Sequence, residues 1–169
     1  MQRTATLSDD GRFRWTLDRA WSDGPTVCWI MLNPSTADAE VDDPTIRAIV
    51  KHSDGWGFGR LVVVNLYPIR SSDPKAARRW AVNEWREDKS VSRLDHNFNI
   101  VVREAKAAEK VMAAWGAAPW TATWVRAVTD AIPELYCLGR TASGAPKHPL
   151  ARGRHRVETG QQPELWAQQ

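Results

Sequence analysis

The sequence predicts an α/β fold, a three-layer α/β/α domain with a central, mostly parallel four-stranded sheet and an added N-terminal edge strand. Four short apolar runs bounded by turn residues are typical of strands buried on both faces. Helical patterns alternate with these runs, as in βαβ units. The 169 residues suffice for one domain, with a core at about 27–150 and a C-terminal tail at about 151–169. The four runs are 27–32, 61–66, 111–114 and 135–138.

The N-terminal segment precedes this core. Residues 1–10 are polar, and we expect them to be irregular. Residues 12–17 alternate polar and apolar side chains, which predicts an edge strand with one wet face. Ser22-Asp-Gly-Pro25 predicts a turn before the first core strand.

The first core strand leads into a polar loop and then a helix. Asn33-Pro34 ends the strand, because proline has no N–H for the ladder. After the loop 35–42, Asp43 and Pro44 predict a helix N-cap and first helical residue. Ligands of open α/β sheets bind at the carboxyl ends of strands, so this loop is a candidate site. An ordinary strand-to-helix connection explains the stretch alone equally well.

The other core strands also end in small or polar residues. These are Asn65-Leu-Tyr-Pro68, Trp115-Gly116 and Gly139-Arg-Thr141. Because the carboxyl ends of parallel strands share one edge, we expect the four endings to lie together. The segment 140–156 begins at the last of them and carries five basic and no acidic residues, on a chain of net charge +3. It predicts either an anionic partner or a solubilising tail.

Several function classes find no support in the sequence. Cys28 and Cys137 lie in apolar runs, so we expect buried reduced thiols, and two thiols are too few for a four-thiolate cluster. There is no Walker A loop, no dinucleotide glycine fingerprint and no metalloprotease helix motif, so we expect no cofactor and no metal. No long apolar segment or signal-peptide pattern is present, which predicts a cytoplasmic protein without membrane contact.

Four motifs in order resemble the uracil–DNA glycosylase superfamily. Each follows a predicted strand, and together they cover roughly 27–150. The strings Met-Leu-Asn-Pro-Ser-Thr-Ala-Asp and His-Pro-Leu also resemble an uncharacterised bacterial and phage family. The four motifs are Met31-Leu-Asn-Pro-Ser35, Leu61-Val-Val-Val-Asn65, Val111-Met-Ala-Ala-Trp-Gly116 and Lys147-His-Pro-Leu150.

The resemblance, together with the side-chain chemistry of the residues themselves, implies a role for ten residues. Asn33 would hold the attacking water through its amide oxygen, and His148 would donate to the departing base. Asp38 and Asp42 are reserve carboxylates, although solvated loop acids are the simpler explanation for both. The implied base-binding residues are Asn65, Pro34, Ser35 and Tyr67, and the implied DNA-binding residues are Thr36, Arg140, Lys147 and Arg152. The open alternatives are that Asn65 only satisfies loop backbone groups and that His148 is only an exposed loop residue.

Three departures from the superfamily bear on the substrate. Met31 stands where the family has a leading glycine. Asn33 stands where efficient uracil enzymes have an aspartate, and Ser35 replaces a tyrosine that closes the pocket beside carbon 5. We therefore expect a monomeric, monofunctional DNA glycosylase that acts on a flipped-out, C5-substituted pyrimidine, with hydroxymethylated or glucosylated bases of phages as the leading case. The alternatives are a hydrolase or transferase of free nucleotides or nucleosides, and a non-catalytic module that binds DNA or a base.

Overall fold

The computed structural model describes residues 1–86 and 92–168 of the chain, and its fold is α/β. Within these residues, seven strands form one sheet and four α-helices pack on it. The strands are β1 (Gln2–Leu7), β2 (Arg14–Ala20), β3 (Thr26–Met31), β4 (Arg60–Asn65), β5 (Lys110–Ala113), β6 (Glu134–Cys137) and β7 (Glu164–Gln168). The helices are α1 (Pro44–Gly55), α2 (Pro74–Arg86), α3 (Arg93–Ala107) and α4 (Ala122–Ala131).

The sheet is larger and more mixed than the sequence predicted. Its strand order is β1-β2-β4-β3-β5-β6-β7. The pairings β4–β3, β3–β5 and β5–β6 are parallel, whereas β1–β2, β2–β4 and β6–β7 are antiparallel. The expectation of a four-stranded, mostly parallel sheet with one edge strand therefore describes only part of a mixed seven-stranded sheet.

The two outermost strands were not expected. β1 occupies residues predicted to be irregular, and it covers β2, so the predicted edge strand at 12–17 lies inside the sheet. β7 comes from the C-terminal tail and pairs with β6. Most described side chains of both strands are exposed or only half-buried. Outer strands of this kind lack the apolar runs that mark a buried strand, which is why the sequence pattern did not show them.

The strands β3, β4, β5 and β6 were predicted to within one residue at each end, because helices cover both faces of this part of the sheet. In β3, Cys28 and Ile30 belong to the core that α2, α3 and α4 cover. Val27, Trp29 and Met31 belong to the core on the opposite face, against α1. Burial on both faces makes a strand apolar without interruption.

The start of α1 confirms the predicted cap. Asp43 Oδ1 accepts a hydrogen bond of 2.9 Å from the backbone N–H of Ile46, and Pro44 is the first helical residue. The sequence also predicts one long helix from residue 85 or 87 to 108. In the structure α3 begins at Arg93 and ends at Ala107, and positions 87–91 lie outside the described residues.

Two further expectations concern thiols and membranes. Cys28 and Cys137 are buried and free, as predicted. Burial raises the pKa of the Cys28 thiol well above its ordinary value, so the thiol stays protonated. In the described part of the chain, no helix combines the length and apolar character needed to cross a membrane.

Candidate functional site

A cavity of about 350 Å³ opens at the carboxyl ends of β3 and β5. Its walls come from four separate segments: the exits of β3, β4 and β5 and the loop after β6. Convergence of several strand exits is the usual way in which an α/β sheet forms a ligand site. The lining residues are Met31, Leu32, Asn33, Ser35, Ser71, Ser72, Trp115, Ala117, Ala118, Trp120 and His148.

The amide of Asn33 has a fixed orientation in this cavity. Its Nδ2 donates to the carbonyl oxygens of Pro34 (3.1 Å) and Ser71 (2.8 Å). Because a carbonyl oxygen can only accept, the two partners decide which end of the amide is nitrogen. Asn33 Oδ1 accepts no hydrogen bond from the described residues, so it is the end of the amide that is free to accept from a ligand or water.

His148 faces the same cavity as a neutral imidazole. Its Nδ1 accepts a 3.1 Å hydrogen bond from the backbone N–H of Leu150, which places the neutral ring's proton on Nε2. Burial lowers the pKa of His148, and the negative charge of Asp43 partly opposes that shift. Nε2–H has no partner among the described residues, so it is an available donor.

Two tryptophans form the aromatic part of the wall. Trp115 is buried and makes an edge contact with Trp166 at 5.1 Å between ring centroids. Trp120 stacks on Tyr67 at 4.9 Å and 30°. Tyr67 is itself only 4% exposed, and burial raises its pKa to about 12. Tyr67 thus supports Trp120 from behind and does not line the cavity, contrary to the base-contacting position expected for it.

Ser35 connects the cavity to the start of α1. Its hydroxyl donates to Asp43 Oδ2, while Oδ1 of the same carboxylate caps the helix. Pro34 is buried beside it, and its carbonyl accepts from the backbone N–H of Ser71 at 2.8 Å. These bonds tie the exit loops of β3 and β4 together, so Asn33 and Ser35 are held at fixed positions.

Asn65 is not among the residues that line this cavity. It is 1% exposed, and its Oδ1 accepts from Arg14 Nη2 at 3.4 Å. Arg14 is also buried, and its Nη1 donates to the carbonyl of Ala37 at 2.8 Å. Burial lowers the pKa of Arg14 to about 10, against the opposing charge of Asp43. Asn65 therefore contacts a buried guanidinium through Oδ1, and its buried Nδ2 has no partner among the described residues.

Asp38 and Asp42 both stabilise the loop that follows β3. Asp38 Oδ1 accepts from the backbone N–H groups of Glu40 and Val41. Asp42 pairs with Arg19 at 2.7 Å and with Arg3 at 3.3 Å. The Arg19 side chain is completely buried, so Asp42 supplies the charge that its burial requires. These contacts are structural. The Asp38 side chain is 36% exposed, which fits the expected solvated loop acid, whereas the Asp42 side chain is only 12% exposed and ion-paired, which does not.

The four residues expected to contact DNA have different surroundings. Arg140 Nη2 donates to the carbonyls of Leu165 (3.1 Å) and Trp166 (2.9 Å), so it holds β7. Lys147 extends past Gly139, where a Cβ atom would lie 3.2 Å from Lys147 Nζ, and the φ of +98° at this position favours glycine. Thr36 is exposed in the loop after β3.

Arg152 is the expected DNA contact with the most open surroundings. It is exposed and lines a second pocket of about 590 Å³, which Pro44 and Arg156 also border. This pocket adjoins the His148 loop, since Pro149 and Leu150 also line it.

Several residues that line the cavity were not predicted from the sequence. Ser71, Ser72 and Trp120 lie well beyond the strand ends, in segments without a motif. Asp43 was recognised as a helix cap, but its bond to Ser35 was not expected. A signal for that bond exists, because a helix N-cap after a short strand-exit loop stays close to the carboxyl end of the strand.

A family model for proteins of unknown function, DUF1643, matches residues 14–150, which is well over half of the chain. The chain belongs to the DUF1643 family. The match spans β2 to the His148 loop and so includes every described residue that lines the cavity. The chain has no significant match among curated proteins or solved structures.

The surroundings of His148 predict the direction in which its pKa differs from the ordinary value. In a histidine-selective NMR titration, we expect the His148 ring to protonate at a pH below its ordinary value of about 6.5, because burial disfavours the imidazolium. Asp43→Asn should move that midpoint lower still, since it removes the anion that favours the charged ring. His52 is the internal control, because burial lowers its pKa but Asp43 does not contribute. A His148 midpoint above 6.5 would contradict the assignment.

Proposed function

We propose that this protein is a monofunctional DNA glycosylase that removes a C5-substituted pyrimidine and leaves an abasic site. One observation carries the proposal: the cavity is lined by two tryptophans, by Asn33, whose Oδ1 has no hydrogen-bond donor among the described residues, and by His148, whose Nε2–H has no acceptor among them. Flat aromatic walls suit a nucleobase, whose faces stack on such rings. The volume of about 350 Å³ lies within the range of ligand sites.

In the proposed reaction, the target nucleotide leaves the helix and its base enters between Trp115 and Trp120. The bond between C1′ and the base nitrogen breaks, and its electron pair stays on the base. His148 Nε2–H donates to a carbonyl oxygen of the base and stabilises the developing anion. Asn33 Oδ1 holds the water that adds to C1′, and the proton of that water passes to solvent. The departing base anion takes a proton from solvent.

We further propose that β4, β3, β5 and β6 form a core of the uracil–DNA glycosylase type, to which antiparallel strands are added on both sides. The parallel pairing of these four strands supports the idea. Asn33, Trp115 and His148, taken from three separate motifs, line one cavity, which supports it as well. Asn65 has a different role in this chain, so base recognition would rest on the other residues.

The preference for a C5 substituent rests on Ser35. A serine leaves space where a tyrosine would close the pocket beside carbon 5. Tyr67 is not among the residues that line the cavity, whereas Met31 and Trp115 line it together with Ser35 and are the side chains that could refill the space. Bases with bulky polar C5 groups occur in some phage genomes, so the biological role we propose is restriction of phages that carry such DNA.

A comparison of duplex DNA with free nucleosides tests the function. The protein is incubated with duplexes and with nucleosides carrying the same modified bases, and released base and alkali-labile sites are measured. We expect both products from DNA and none from nucleosides. Release from nucleosides alone would indicate a nucleoside hydrolase, and binding to DNA without release would indicate a non-catalytic module.

Arg152 provides a prediction about DNA binding. Arg152→Ala should weaken binding to duplexes of every sequence and reduce the slope of log K against log salt by about one, because one phosphate contact is lost. Arg103→Ala is the matched control, since Arg103 is an exposed arginine of α3 that pairs with Glu104 and is absent from both pocket linings. Equal slopes for wild type and Arg152→Ala would exclude Arg152 from the DNA contact. Arg140 is a poorer probe, because its replacement would also loosen β7.

A further inference from the structure

The hydroxyl of Ser35 has a direction imposed by the helix behind it. Ser35 lines the cavity and donates its only hydroxyl proton to Asp43 Oδ2. The other oxygen of that carboxylate caps α1 through the N–H of Ile46 at 2.9 Å, so the helix fixes the position of the carboxylate. An ionised carboxylate can only accept, so the Ser35 proton cannot turn into the cavity without leaving Asp43 Oδ2 without its donor.

The cavity wall at this position is therefore an acceptor. With its proton committed, Ser35 Oγ has only lone pairs for a ligand. The negative charge of Asp43 lies directly behind it. A substituent with an O–H or N–H group would form a hydrogen bond there. A substituent with only acceptor atoms would meet two lone pairs without a proton between them, and an anionic substituent would also meet the charge of Asp43.

We propose that Ser35 and Asp43 form a specificity element that selects a C5 substituent carrying a hydrogen-bond donor and rejects acceptor-only and anionic substituents. The inference rests on the proposed function and narrows its substrate class. Hydroxymethyl groups and sugars with free hydroxyls satisfy the element, whereas formyl and carboxyl groups do not. Loss of a hydrogen bond to an oriented, partly buried acceptor corresponds to about 10- to 100-fold in rate or affinity, and we expect discrimination of that size.

The Asp43→Asn substitution should change Ser35 from an acceptor to a donor toward the cavity while it keeps the N-cap of α1. Asparagine is as good an N-cap as aspartate, and its Oδ1 would accept from Ile46 as the carboxylate does. Its NH₂ group then takes the place of Oδ2 and donates to Ser35 Oγ. The Ser35 proton becomes free to donate into the cavity. The variant should therefore accept a formyl substituent better and lose its preference for hydroxymethyl.

The experiment compares release of 5-hydroxymethyl, 5-formyl and 5-carboxyl pyrimidines from otherwise identical duplexes. Wild type should release the hydroxymethyl base about 10- to 100-fold faster than the formyl base, and the carboxyl base most slowly. Asp43→Asn should lower the hydroxymethyl-to-formyl ratio at least tenfold. Ser35→Ala leaves the helix cap untouched and should also abolish the preference, which keeps the test valid if Asp43→Asn is unstable.

The outcomes separate this inference from the function on which it rests. If wild type releases the hydroxymethyl and formyl bases at equal rates, or if the ratio is unchanged in both variants, the specificity element is wrong and the glycosylase assignment stands. Absence of base release from every duplex would overturn the proposed function and this inference with it.

Discussion

Replacement of Asn33 or His148 by alanine is expected to lower the rate constant of base release by about 10²- to 10³-fold, the usual contribution of one oriented polar group. Asn33→Ala removes the acceptor that holds the water, and His148→Ala removes the donor to the departing base. Both side chains line the cavity and neither is part of the apolar core, so both variants should fold and still bind DNA. Single-turnover assays with saturating protein measure the chemical step.

Matched controls exist on α3. Asn99 and His96 are exposed residues of the same two types, and neither lines the cavity. Asn99→Ala and His96→Ala should retain wild-type rates. Asn33→Asp is also informative, because a carboxylate in this place would face the carbonyl oxygens of Pro34 and Ser71 without a proton to share. Near-wild-type turnover in Asn33→Ala or His148→Ala would remove that residue from the mechanism.

The largest effect on stability is expected from Asp42→Ala. The guanidinium of Arg19 is completely buried, and Asp42 is its charged partner at 2.7 Å. Removal of one partner of a buried pair leaves an uncompensated charge, which typically costs about 3–5 kcal/mol. The free energy of unfolding, measured by urea denaturation, should fall by that amount. Because Asp42 lies in the loop after β3, the cavity should lose order together with stability.

An exposed ion pair provides the control for this prediction. Arg60 pairs with Asp18, and its side chain is 51% exposed. Arg60→Ala should change the free energy of unfolding by no more than about 1 kcal/mol, as is usual for surface pairs. If Asp42→Ala cost as little, the carbonyl oxygens of Thr4, Asp18 and Asp38 would suffice for Arg19.

The parts of the fold that were predictable are those whose burial imposes a local pattern. β3 and β4 are apolar throughout because both of their faces are covered, and Asp43-Pro44 is a local cap signal. β1 and β7 pair at the edges of the sheet with few buried side chains, so their existence depends on the neighbouring strand and not on their own sequence. This is why the sheet was predicted too small.

In the candidate site, too, the residues that follow a local sequence signal were predictable and the others were not. Asn33 follows a buried strand closely and His148 belongs to a His-Pro motif in the basic segment, and the structure brings both residues to one cavity. Asn65 follows an equally clear strand, but Arg14 of β2 binds its side chain. A buried guanidinium forms hydrogen bonds with the acceptors within its reach, because burial without such bonds is costly. Because Arg14 is distant in sequence, no local pattern shows this competition.

The most direct test of the account is base release by the wild-type protein from matched duplexes that carry cytosine, thymine, uracil, hydroxymethylcytosine or glucosylated hydroxymethylcytosine at one position. The proposed cavity predicts abasic sites in the duplexes with hydroxymethyl or glucosylated bases, and much slower release of the unmodified bases. Faster release of plain uracil than of every modified base, or no release from any duplex, would contradict it.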